Sequence, residues 1–272
     1  MINEPPAVPT NWWLRLGTAG TGLTLVVLGA SMLLRLATEW AVDGQAQSVL
    51  PPVVEHATRL AHRLAASGVS LVALCAVLLA WMQRRTNRRM VSTTAGLVAA
   101  TVVLAGIGPL TPGYRVAAIT VLNVGVGMVL LLAFWWMRES SARMPYQPWM
   151  LPRVARLALA ALILHTATGA AASAYRMQGL SWPAWVHLAS AVLFIGCLTA
   201  LVIAQRRLQT PPKVHTLRIL MAAQVLLGAC LFWLDHRPVW LNFTHALLSP
   251  LLAMALLRFM RSDELPRLIA VD

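Results

Sequence analysis

Acidic residues are scarce in this chain: nine Asp and Glu stand among 272 residues, against 22 Lys and Arg. Charge of either sign amounts to only 11% of the composition, while 58% is hydrophobic and the mean hydropathy is +0.68. A soluble domain with so little charge would lack polar cover for its surface, which argues against that class. Cleanly alternating apolar and polar positions are missing too, which excludes a membrane β-barrel. Cysteine is nearly absent. Cys75, Cys197 and Cys230 lie inside apolar runs with no close partner, so neither a disulfide framework nor a zinc site is indicated, and they read as small buried hydrophobes. Walker and Rossmann glycine patterns are lacking as well. The first ten residues have neither the basic region nor the cleavage site of a signal peptide. The first helix is therefore expected to remain in place, with Trp12 and Trp13 anchoring it at the membrane interface.

What the chain has in abundance is apolar runs of roughly 20 residues, the length that crosses about 30 Å of hydrocarbon. They predict an all-α integral membrane protein with eight spans, near 14–36, 54–82, 91–110, 114–137, 153–175, 183–205, 215–234 and 239–260. The net charge of +13 invites a nucleic-acid reading. The arginines sit instead in short loops between apolar runs, which is the positive-inside pattern. Arg84, Arg88, Arg89, Arg138, Arg153, Arg156, Arg206, Arg207, Arg218 and Arg258 fall on one side with Arg15. This implies an inner (plasma) membrane of bacterial type, both termini cytoplasmic, the lipid bilayer as partner and no nucleic acid.

The chain also repeats itself. Ala99-Ala-Thr-Val-Val-Leu-Ala-Gly resembles Ala222-Ala-Gln-Val-Leu-Leu-Gly-Ala. His62-Arg-Leu-Ala-Ala-Ser resembles His187-Leu-Ala-Ser. Gly29-Ala and Gly169-Ala are each followed by an arginine, Arg35 and Arg176. Two pseudo-symmetric four-helix halves, 1–145 and 146–272, explain all three matches. The repeat places Asn123 of the first half where the second half has His245.

Ionisable and ligating side chains are costly inside a membrane, so a functional role is their default reading. His187 and His245 lie at similar depth on two spans of the second half. A pair of neutral imidazoles on facing helices is a standard axial ligand set for heme iron. His62 is a third candidate iron ligand, with Asn123 where its partner is expected. Arg176 and Arg237, near the same face, suit the anionic propionates of a heme. His165, one turn before Gly169, reads either as a ligand or proton relay or as an interhelical hydrogen-bonding residue. His56, His236 and His215 read as solvated histidines near the interfaces. Glu55 lies two turns before His62 on the same helix face. It either orients a ligand or takes a proton, or it pairs with Arg59. A transporter built on repeats is a weaker reading, since only Pro250 suggests a kinked span.

Taken in order, these features resemble the heme A synthases, cytochrome oxidase assembly proteins that convert heme O to heme A. The resemblance rests on eight spans in two halves, His62-Arg63 on the second, His187-Leu188 on the sixth, Gln224-Val-Leu-Leu-Gly228 on the seventh and His245 on the eighth. It implies a b-type heme held by His187 and His245. It further implies a substrate heme in the first half at His62, with Arg63 beside it and Glu55 as the assisting carboxylate. The product would be heme A, formed when a methyl group of heme O is oxidised to formyl. Implied partners are a heme O synthase and cytochrome oxidase or another respiratory complex. The chain departs from the family at Asn123, where a histidine is expected, and at Arg59, where the family glutamate stands. It also lacks the cysteine pair that some members carry in the first outer loop. A heme b protein without synthase activity, serving electron transfer or assembly, is the alternative.

Overall fold

The computed structural model describes residues 11–39, 50–84, 88–110, 117–140, 150–176, 182–207, 214–234 and 238–260. Each apolar run forms one α-helix, because in hydrocarbon only a helix satisfies every backbone donor and acceptor within its own segment. The helices are α1 (Asn11–Glu39), α2 (Pro52–Met82), α3 (Arg88–Ile107), α4 (Ala117–Ser140), α5 (Met150–Arg176), α6 (Trp182–Arg207), α7 (Val214–Trp233) and α8 (Val239–Met260). A 3-10 turn, Gly108–Leu110, extends α3. All eight helices are long and apolar enough to cross a membrane, and no strand occurs among the described residues. α1, α2, α5 and α6 overrun their expected spans by up to three residues at one or both ends, α3 begins three residues before its span, α4 ends three residues after its own, and α8 coincides with its span.

Packing follows one scheme twice. In the first four helices α1 packs on α2 and α4, α2 on α3, and α3 on α4; in the last four α5 packs on α6 and α8, α6 on α7, and α7 on α8. The seam between the two sets is made by α4 against α5, α1 against α8, and α4 against α8. Leu28, Met32 and Leu131 are buried there, with Leu25, Phe243 and Ala246 packed on them. Small residues allow the closest approaches, as in membrane bundles generally. At Gly17 of α1, a Cβ would lie 2.5 Å from the backbone nitrogen of Arg138 in α4.

The end of the seam near the C-termini of α4 and α8 is tied by charge. Glu139, buried at 4% exposure, pairs with Arg138 at 2.5 Å and with Arg258 of α8 at 3.6 Å. Both guanidinium groups also lie over the Trp135 ring, at 4.4 and 4.9 Å from its centroid. Within α8, Pro250 is buried. Having no N–H, it cannot return the usual helical bond to the carbonyl of Ala246.

Two sequence expectations are corrected. Cys75 and Cys230 are exposed on the outer surface of the bundle, and Cys197 is half-buried. In a bundle whose outward faces meet lipid, an apolar side chain has no need to turn inward. Trp12 faces outward, but Trp13 turns into the bundle at 4% exposure, where its Nε1–H donates to Gln83 Oε1 at 2.9 Å. Consecutive helical residues point about 100° apart, so the pair cannot share an interfacial role.

Candidate functional site

The second half brings three histidines together. His165 on α5, His187 on α6 and His245 on α8 offer ring nitrogens that all lie within 4.8 Å of one another, a set able to hold a metal ion. His187 and His245 have ring centroids 6.5 Å apart and planes at 89°. A metal–imidazole bond is about 2 Å, so two imidazoles facing each other across one metal have centres roughly 6 Å apart. The observed spacing meets that requirement. His165 and His187 are arranged differently, stacked at 4.2 Å with planes only 11° apart. The in-plane lone pairs of two stacked rings run side by side and do not converge on one metal. His165, 4% exposed, therefore acts as the stacking neighbour of His187 in this arrangement.

The tautomer of His187 is fixed by its surroundings. Its Nδ1 lies 3.1 Å from the backbone carbonyl of His165, and a carbonyl oxygen can only accept. Nδ1 consequently carries the proton, and Nε2 presents its lone pair, as ligating histidines usually require. Around this bond sits a collar of hydroxyls. Thr168 Oγ1 donates to the His165 carbonyl at 2.9 Å and lies 3.3 Å from His187 Nδ1. Ser190 Oγ lies 2.8 Å from Thr168 Oγ1 and 3.3 Å from His165 Nδ1, and donates to the carbonyl of His187 at 2.6 Å.

His245 is less well served. Its Nε2 is 3.4 Å from Gln224 Nε2 on α7, while its Nδ1 and the Oε1 of Gln224 are buried with no hydrogen-bonding partner among the described residues. Glycines make room beside both rings. A Cβ at Gly169 would stand 2.9 Å from Cε1 of His187, and one at Gly228 would stand 3.2 Å from Cε1 of His245. Paired imidazoles and unmet polar atoms suit a metal ion or a metal-centred cofactor, which His187 and His245 would hold.

The first half gathers its candidates around a small cavity of about 40 Å3. His62, Asn123, Arg35, Thr24, Thr120 and Gly127 contribute to its wall. His62 lies with Nδ1 3.2 Å from the carbonyl of Val27 on α1, so its Nε2 also presents a lone pair. Arg35, only 7% exposed, is the cation of this wall, whereas Arg63 is exposed and not part of it. Glu55 forms an ion pair with Arg59 at 2.6 Å, which is one of the two roles open to it. His56 and His215 are exposed. Arg237 and His236 lie outside the described residues, as does the side chain of Arg176.

Sequence reasoning assigned no role to Thr168 and Ser190, and knew Arg35 only as a repeat marker. Gln224 entered only through the family resemblance. The signal that finds them is the one applied to the histidines: each is a polar side chain inside an apolar span. No protein-family model matches the chain, and no curated protein matches it significantly.

Proposed function

We propose that this is a heme-binding membrane oxidoreductase of the heme A synthase type. His187 and His245 hold a b-type heme between α6 and α8. The cavity beside His62 takes the substrate heme O, whose methyl group becomes the formyl group of heme A. The observation that carries this reading is the pair of imidazoles 6.5 Å apart, within a set of three histidines able to hold a metal ion. Bound there, a b-type heme supplies one-electron redox chemistry. The chain's own part is to fix the His187 tautomer, to keep the site in apolar surroundings, and in the first half to offer one ligating nitrogen and a buried guanidinium for an anionic group.

Asn123 in the cavity wall favours a second reading, a heme b subunit for electron transfer or assembly in a respiratory complex. An amide is a poor iron ligand, so the first half offers one imidazole where the second offers two. Co-expression with a heme O synthase, followed by heme extraction and chromatography, separates the two. Heme A supports the synthase; heme B alone, with a low-spin spectrum, supports the second reading. Folded protein that is colourless despite ample heme sinks both.

A further inference from the structure

His165 is the residue the proposed ligand set leaves over. It is buried, stacked on His187, and tied to the collar through its ring and its carbonyl alike. Among the described residues His245 has one such contact, to Gln224, and its Nδ1 has no partner. The consequence concerns ring orientation. Axial imidazoles that rotate freely settle into nearly parallel planes, and the resulting ferric heme gives an ordinary rhombic low-spin EPR signal. Planes held perpendicular give a strongly anisotropic low-spin signal and a higher midpoint potential, because neither ring can reinforce the other's donation into one iron orbital. Here the planes of His187 and His245 meet at 89°.

We propose that His165 is a positioning residue. With Thr168 and Ser190 it clamps the His187 ring perpendicular to that of His245 and so sets the electronic state and potential of the iron. The proposal rests on the heme reading above. Three features make the clamp specific to one ring. The His165 imidazole covers the His187 face at 4.2 Å, which resists rotation about the bond to the metal. The His187 Nδ1–H is held by the His165 carbonyl at 3.1 Å, which fixes the direction of the ring edge. Ser190 Oγ lies 3.3 Å from the His165 Nδ1 and donates to the His187 carbonyl, so the stacking ring is itself held. A neighbour that hydrogen-bonds a ligating histidine tunes the metal without touching it.

The test uses full-length protein purified with its heme, with EPR of the oxidised form and a redox titration as readouts. The unaltered protein should show the strongly anisotropic signal. His165→Leu removes the stacking ring and its tie to Ser190. It should keep heme content within about twofold, shift the signal to the rhombic type and lower the midpoint potential. His165→Phe, which keeps a flat ring, should restore much of the original line shape. Thr168→Val provides an independent variant that leaves the stack in place and should broaden the signal by loosening the Nδ1 bond. An unchanged line shape and potential in His165→Leu and Thr168→Val would overturn the clamp. So would complete loss of heme from folded His165→Leu, since His165 would then be a ligand. Absence of heme from the unaltered protein would instead remove the heme reading itself.

Discussion

Each half of the molecule has a histidine on its second helix whose Nδ1 meets a backbone carbonyl of its first helix: His187 with His165 at 3.1 Å, His62 with Val27 at 3.2 Å. From that shared device the halves diverge. Aligned through the repeat, Leu25 and Leu28 stand where the second half has His165 and Thr168, Ala65 where it has Ser190, Thr101 where it has Gln224, and Asn123 where it has His245. The second half surrounds its ring with polar groups and brings a second imidazole to face it. In the first half, Leu25 and Leu28 instead pack into the seam with α8, and His62 borders a cavity. One backbone plan thus yields a cluster of three histidines in one place and a small cavity bordered by a single imidazole in the other.

The sharpest way to break this comparison is to remove a ligand. His187→Ala or His245→Ala should reduce low-spin heme at least tenfold, and His62→Ala should leave it intact; equal losses in all three, read from the optical spectrum, would contradict the assignment. Gly169 and Gly29 give the next contrast, because they occupy matched positions. Gly169→Ala forces a Cβ to 2.9 Å from the His187 ring and should cost about 1–3 kcal/mol through overpacking, with weaker heme retention. Gly29→Ala meets only Phe243 Cζ at 3.9 Å and should stabilise by about 0.5–1 kcal/mol through helix propensity. Thermal unfolding checks the opposite signs. Asn123→His tests whether the halves can be made alike: with heme in the first half, a second six-coordinate component should appear in the spectrum, and no new component would show that the cavity holds no heme. The smallest effect is expected at Glu55→Gln. Its exposed pair with Arg59 is worth about 0.3–0.5 kcal/mol, so a large loss of activity without loss of stability would reveal a chemical role for the carboxylate.

The eight helices were legible because hydrocarbon leaves the backbone no other choice, and apolar length alone marks them; α8 lies where the sequence puts it, at Val239–Met260. The meeting of His187 and His245 was also legible, since the two sit at similar depth on spans of one half. The stacking role of His165 was not. Sequence leaves it a ligand, a proton relay or a hydrogen-bonding residue, and only the packing of α5 on α6 shows its ring stacked on His187. Arg35 was hidden for a related reason. Sequence shows that an arginine stands near the end of a span, but whether it snorkels to the interface or turns into the bundle depends on the neighbouring helices.

Pro250 has a consequence for where α8 can bend. The proline lies little more than one turn from that histidine, and at this point the ladder of α8 already lacks a rung. The two stretches on either side of it are held separately: Phe243 and Ala246 pack on Leu28, Met32 and Leu131 in the seam, while the end toward Met260 is moored to α4 through Arg258 and Glu139. A bend in α8 would therefore cost least at the proline, and His245 would travel with the half that begins at Val239.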